Sequence, residues 1–309
     1  MPFTTNLTGV AEVNDSIRLE YDTEFRLAYE EQGVASQFAT LKSEIGAKSI
    51  DLPRYQHLAL ATSPLDEKED VTSEALSDDK VVITPQEYGK VVTTTKLANL
   101  QTGGMVDRAA ARLVGINAGR SQNKLALLAL DAATNKFIVG GGPIGSVAAG
   151  NIMSGTVMGT IFNKLARKNV PGLVGGDFVM IAHDDVIHDI REGSGANSWI
   201  DAHKYALPEA LLRNEVGMYK GFRVIRDNLS TIAVNAGAGS TVDVYNTYFM
   251  GFNALGMAES MPVEMRATGP FDKLSRFVNM GWHGVFEFKI VEQDAIWVVQ
   301  SASSVGVNV

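Results

Sequence analysis

VDRAAARLVGINAGRSQNKLALLALDAA, residues 106–133, is the longest stretch of this chain that reads as one element. It holds no proline, is rich in Ala and Leu, and follows the punctuation of Thr102, Gly103 and Gly104, which predicts a single uninterrupted helix. At 1.5 Å per residue such a helix is roughly 40 Å long. Val106, Ala109, Leu113 and Ile116 make an apolar stripe along it. Gly115 and Gly119 each cost about 1 kcal/mol relative to Ala inside a helix, so they predict the close approach of another backbone. The charges are mainly basic: Arg108, Arg112, Arg120 and Lys124 against Asp107 and Asp131.

On the N-terminal side of this helix, residues 49–98 read as a long β-hairpin. A short strand lies around 57–62, and a longer one, ITPQEYGKVVTTTKL (83–97), is rich in Val and Thr. Between them Asp66, Glu67, Glu69, Asp70, Glu74, Asp78 and Asp79 face only Lys68 and Lys80, a local charge of −5. The plain reading is a solvated loop tip. Further upstream, SIRLEYDTEFRLAYEEQ (16–32) places Ile17, Tyr21, Phe25 and Ala28 on one helical face, ended by Gly33. Val34, Phe38, Leu41 and Ile45 follow at i, i+4, i+7 and i+11, which predicts a second helix lying on this chain's core or on a neighbour.

On the C-terminal side, Gly140-Gly141-Gly142-Pro143-Ile144-Gly145 is a loop. TVMGTIFNKLARKNV (156–170) reads as a helix ended by Pro171-Gly172, and DFVMIA (177–182) as a buried strand. NEVGMYKGFRVIRDN (214–228) suggests a turn and strand, and VDVYNTYFMG (242–251) another strand. In MGWHGVFEFKIVEQDAIWVVQSAS, Trp282, Phe286, Phe288 and Ile290 alternate with His283, Glu287 and Lys289, and Glu292 to Asp294 turn the chain, which predicts a β-hairpin.

A chain of 309 residues, 45% hydrophobic, buries one large core or two smaller ones. No run approaches the roughly 18 apolar residues of a membrane span, and MPFTTNLTGV lacks the regions of a secretory signal. Neither membrane insertion nor classical secretion is expected. The absence of cysteine excludes disulfides, thiolate nucleophiles and cysteine zinc sites. A net charge of −8, from 27 basic and 35 acidic residues, argues against wrapping nucleic acid tightly but permits enclosing it.

Chemistry-bearing motifs are sparse. The glycine run lacks the Lys-Ser/Thr ending of a phosphate loop, and neither a G-x-S-x-G elbow nor an H-E-x-x-H pair occurs. The catalytic candidate is GDFVMIAHDDVIHDIRE (176–192), where His183, Asp184, Asp185, His188 and Asp189 supply metal-type ligands. Against that, Asp185 suits the N-cap of a following helix, and the i, i+5 histidines do not share a helical face. No cofactor or metal is expected.

Taken in order, the parts resemble a tailed-phage major capsid protein, whose fold is shared with encapsulin shells and the floor of herpesvirus capsids. Four segments carry the resemblance: ITPQEYGKVVTTTKL, the long helix, GDFVMIAHDDVIHDIRE, and NEVGMYKGFRVIRDN with GWHGVFEFKIVEQDAIWVV. The resemblance implies an α+β fold with an N-terminal arm (1–48), an extended loop (49–98), a peripheral domain with the spine helix (99–150 and 256–309) and an axial domain (151–255). It implies a non-enzymatic subunit that self-assembles as hexamers and pentamers into an icosahedral virion shell, made in the host bacterial cytoplasm. That shell encloses double-stranded DNA without reading its sequence, alongside a portal and a separate scaffolding or decoration protein. In such shells the extended loop reaches over a neighbour, making Asp66, Glu67, Glu69, Asp70, Asp78 and Asp79 candidates to meet Arg108, Arg112 and Arg120. Some relatives crosslink through a Lys-Asn isopeptide bond; Lys68, Lys80, Lys90 and Lys96 lie in the loop, but no motif marks one as reactive. Two alternatives are an encapsulin-like compartment around a protein cargo and a metal-dependent hydrolase using His183 and His188.

Overall fold

The computed structural model describes residues 22–55, 78–103, 105–193, 214–268 and 276–305, with isolated positions between 58 and 75 and Leu274. Its axis is the long helix, α3 (Met105–Asp131), within two residues of the expected bounds at each end. The buried face of α3 is built from small residues, Ala110, Ala111, Gly115, Ala118 and Gly119, with Val114 and Leu127. This face lies on nearly the opposite side of the helix from the stripe read in the sequence; of that stripe Ala109 and Leu113 are exposed. Small side chains let neighbouring backbone sit closer to the helix than Leu permits. The helical residues 22–30, α1, use that room. A Cβ on Gly115 would stand 2.5 Å from the Phe25 carbonyl oxygen, and one on Gly119 would stand 2.5 Å from that of Tyr29. The close backbone approach expected at the two glycines is therefore present.

Two sheets flank α3. In the first the strand order is β1 (Thr40–Ser43), β11 (Leu255–Thr268), β12 (Phe277–Ile290), β4 (Gln86–Thr95). Along β12, Trp282, Phe286, Phe288 and Ile290 are buried, and the outward alternates His283, Glu287 and Lys289 are not, as the period of two requires. The second sheet runs β5 (Lys136–Ile138), β13 (Ile296–Ser301), β10 (Val244–Met250), β6 (Phe178–Ala182), β8 (Phe222–Arg226), β7 (Glu215–Tyr219), with β9 (Ile232–Ala233) paired to β10. Both faces of this sheet are covered. Val179, Ile181, Tyr248 and Val298 join the core that runs along α3 to Trp282 and Phe286. Met180, Phe222, Phe249 and Val299 pack under α4 (Gly155–Arg167) and α5 (Asp184–Glu192) through Met158, Ile161 and Ile187. Continuous apolar strands such as FVMIA belong to a sheet buried on both sides.

Four local expectations need correction. Residues 34–45 are not a helix: a 3-10 turn at Ser36–Phe38 leads into β1, which pairs parallel with β11. Val34 and Phe38 are buried, but Leu41 and Ile45 are 58% and 92% exposed. The open edge of β11 supplies hydrogen bonds that an isolated helical turn would have to find within itself. The run 83–97 is not one strand either. β2 (Ile50–Tyr55) pairs with β3 (Asp78–Ile83) as the projecting hairpin, whereas β4 pairs with β12. Pro85 stands at the break, where a residue without N–H cannot continue a ladder. Of the strand expected at 57–62, residues 57 and 59 lie outside the described residues. After Thr95, whose side chain accepts from the Ala98 N–H, the chain turns into a short helix, α2 (Lys96–Gln101). The terminal hairpin is the third correction: β12 and β13 enter different sheets, since the 3-10 turn Gln293–Ala295 redirects the chain onto β10. Fourth, the N-cap of α5 is His183, whose Nδ1 accepts from the Asp185 N–H at 3.2 Å, so Asp185 is not the cap.

Candidate assembly surfaces and the histidine cluster

The hairpin β2–β3 is rooted firmly. Ile50, Leu52 and Ile83 are buried against Ala258 and Val291, and a Cβ on Gly256 would come within 2.9 Å of Leu52 Cδ1. Lys289 Nζ donates to the Val82 carbonyl at 3.0 Å, and Arg54 pairs with Glu292 at 3.5 Å. Beyond the root, Leu58 and Leu60 are exposed. Of the acidic candidates, Asp70 and Asp79 are exposed, Asp78 opens β3, and Asp66, Glu67 and Glu69 lie outside the described residues. The hairpin's own Lys80 is engaged by Asp51 across the strands at 2.7 Å.

The basic candidates lie on α3. Arg108 and Arg112 are exposed one turn apart, and Arg120 is exposed two turns further on, rotated by about 80°. Exposed Met105 and Leu113 lie among them. The start of α3 is pinned by Asp107, which is buried and accepts from Thr94 Oγ1 at 2.9 Å and from Asn99 Nδ2. That anchor ties α2, β4 and α3 together and sets the direction of the arginine face. The acids and the arginines thus stand on separate elements of one copy.

The five metal-type residues do not converge. His183 Nδ1 is taken by its capping bond from the Asp185 N–H, and the Asp185 carboxylate lies 3.3 Å from the same nitrogen. Asp185 also accepts from the Tyr245 hydroxyl at 2.8 Å. Asp184 meets Arg226 at 3.5 Å, and buried Asp189 accepts from the Ser304 N–H and hydroxyl. His188 is exposed. Among the described residues no three His, Asp or Glu side chains are grouped to hold an ion. The acids serve as helix-terminus and loop anchors, which the helix dipole favours at an N-terminus. His183→Ala with His188→Ala is expected to leave the fold intact at a loss of about 1 kcal/mol for the cap, checked by urea unfolding.

A polar junction missed in the sequence ties the parts together. Asn123, 1% exposed, accepts from the Val34 and Ala35 N–H groups at 3.2 and 2.7 Å and donates to Asp227 Oδ2 at 2.7 Å. Asp227 also accepts from the Leu229 N–H, and Lys124 Nζ donates to the Leu229 carbonyl at 3.0 Å. Burial pushes the Asp227 carboxyl above its ordinary value, opposed by these hydrogen bonds and by Lys124 and His183. The available signal was Gln122-Asn123, a pair of amides within an Ala- and Leu-rich helix.

Neither a protein-family model nor a curated protein matches the sequence. Solved structures do. The capsid of Ralstonia phage GP4 superposes with a TM-score of 0.69 at 13% identity, covering 89% of this chain and 90% of that one. The fold is that of a tailed-phage capsid protein. The Cyanophage Pam1 capsid superposes at 0.66 with 12% identity, over 91% and 93% of the two chains. A virus-like particle from Pyrococcus furiosus superposes at 0.57 with 10% identity, over 91% and 98%. The capsid fold is therefore retained across sequences that share about one residue in eight, and the α+β class expected from the sequence holds.

Proposed function

We propose that the chain is a major capsid protein that assembles as hexamers and pentamers into an icosahedral shell enclosing a double-stranded DNA genome. The observation that carries this reading is the match over about nine-tenths of both chains to phage capsid structures. A match of that extent takes in most of the chain rather than one common motif. In this reading residues 1–48 form the arm, 49–98 the extended loop, 99–150 with 256–309 the peripheral domain and 151–255 the axial domain. The virion is the place of action, with a portal and a separate scaffolding or decoration protein as further partners. No helix among the described residues is long and apolar enough to cross a membrane. Ring-closing, heterologous contacts are the symmetry such a shell needs.

The acidic hairpin end meets the arginine face of α3 on a neighbouring copy. Each exposed ion pair contributes only about 0–1 kcal/mol, but the contact repeats around every ring. Changing Asp70, Asp78 and Asp79 to Lys is expected to suppress assembly, and adding the change of Arg108 and Arg112 to Glu is expected to restore part of it. Assembly of the unaltered chain should weaken as salt rises. Light scattering and negative-stain microscopy across a salt series read both; assembly indifferent to the acid reversal rejects the pairing.

A compartment around a protein cargo is the second reading, favoured by the likeness to the virus-like particle. Particles purified from the native host separate the two: packaged DNA supports the capsid, and an enclosed enzyme supports the compartment.

A further inference from the structure

A cleft of about 340 Å3 opens where α1, the loop after it, β1, α3 and β11 meet. Glu259, Glu30, Tyr29, Gln122, Ser36 and Gln37 supply its polar wall, with Met257 and Leu41 as apolar floor. β11 changes register against β12 directly after Glu259, the kind of bulge that re-aims a side chain. Glu259 is half-buried, and burial raises its carboxyl above the ordinary range with no cation among the described residues to offset it. Gln122 is only 6% exposed. Its Oε1 accepts from the Tyr29 hydroxyl, but its Nε2 has only the Met257 sulfur, at 3.8 Å.

The cleft thus presents, in Glu259, a half-buried carboxylate without a counter-charge beside a buried N–H donor without an oxygen acceptor, with Glu30 adding negative charge at its rim. A metal ion or a free ammonium answers the first and leaves the second unmet. A peptide with a basic side chain answers both, its cation meeting Glu259 and a main-chain carbonyl accepting from Gln122. Leu41, more than half exposed in a single copy, is covered by the same contact.

We propose that this cleft receives a lysine- or arginine-bearing segment of a second copy of the chain when subunits assemble. The inference rests on the shell reading and adds a contact separate from the acidic hairpin, whose charge unsuits it to an acidic cleft. The test is Glu259→Gln, which keeps the shape and removes the charge, with Glu259→Lys as its stronger companion. Two quantities are measured on the full chain: the urea midpoint of the unassembled subunit and the concentration at which particles appear. The expected result for Glu259→Gln is an unchanged or slightly raised midpoint with an assembly threshold raised at least about tenfold, since a buried charged partner is lost. Glu259→Lys is expected to give no particles while its subunit still unfolds cooperatively. An unchanged threshold in Glu259→Gln overturns the inference. So does a lowered midpoint with an unchanged threshold, which would mean that the chain fills its own cleft. A wild-type chain that forms no oligomers even with the scaffolding protein supplied overturns the shell reading as well, so the two failures are told apart.

Discussion

Gly115→Ala and Gly119→Ala are each expected to destabilise the unassembled subunit by about 2 kcal/mol, although the same change inside a helix ordinarily stabilises by about 1 kcal/mol. The reason is geometric. Each new methyl would stand 2.5 Å from a carbonyl oxygen of α1, at Phe25 and at Tyr29 respectively, and at position 119 also 2.8 Å from Gln32 Cβ. Backbone carbonyls within a helix cannot rotate away as a side chain can, so α1 must shift as a body and Phe25 must leave its buried site. Gly159, inside α4, has nothing within 4 Å of its virtual Cβ. Gly159→Ala should therefore raise stability by up to about 1 kcal/mol. Urea unfolding of the three variants gives opposite signs for one chemical change; equal signs would refute the close crossing of α1 over α3.

Asn123→Ala should cost at least about 3 kcal/mol, because it strands two buried N–H groups and one buried carboxylate oxygen together. Val34 and Ala35 lose their acceptor and Asp227 loses a donor. Asn123→Leu, which fills the volume without restoring hydrogen bonds, should recover little; if it recovers most, packing rather than polarity holds the junction. The same site carries a pH dependence. The folded-state pKa of Asp227 is raised above its ordinary 3.8, so its contribution to stability is fully present below that value and is lost as pH rises through the folded pKa. The difference in unfolding free energy between wild type and Asp227→Asn should change with that sign from about pH 4 upward. Asn123→Asp, by setting a second carboxylate 2.7 Å from the first, should enlarge the effect, as paired carboxyls cannot both ionise cheaply.

Where the sequence misled, the cause was most often tertiary, Pro85 and the His183 cap being local exceptions. The apolar spacing of Val106, Ala109, Leu113 and Ile116 suggests a buried stripe on α3, but Leu113 faces outward and other Ala and Gly residues face inward; what decides is how near α1 comes, and composition does not record that. β11 went unrecognised because LGMAESMPVEMRAT is rich in Met, Glu and Ala and carries a proline, a poor strand by propensity. It becomes a strand because β12 and β1 flank it on either side. The alternation in β12 was legible, yet its partner was not: the turn after Ile290 has the local chemistry of a hairpin, and the second sheet captures β13 instead. Of the assembly residues, the acidic run and the arginines were visible as charge, whereas Glu259 and Gln122 become notable only where α1, α3 and β11 enclose them.

Local chemistry alone determined the long helix, the glycine loop, the buried strand FVMIA and the helix after it, because propensity, punctuation and a short-range period act over neighbouring residues. Only the tertiary structure decided which strands share a sheet, which face of α3 is buried and where a carboxylate is left without a counter-charge. Those outcomes depend on contacts between residues far apart in the chain, such as Asn123 with Asp227 and Gly115 with Phe25, and their energies exist only once the partners meet.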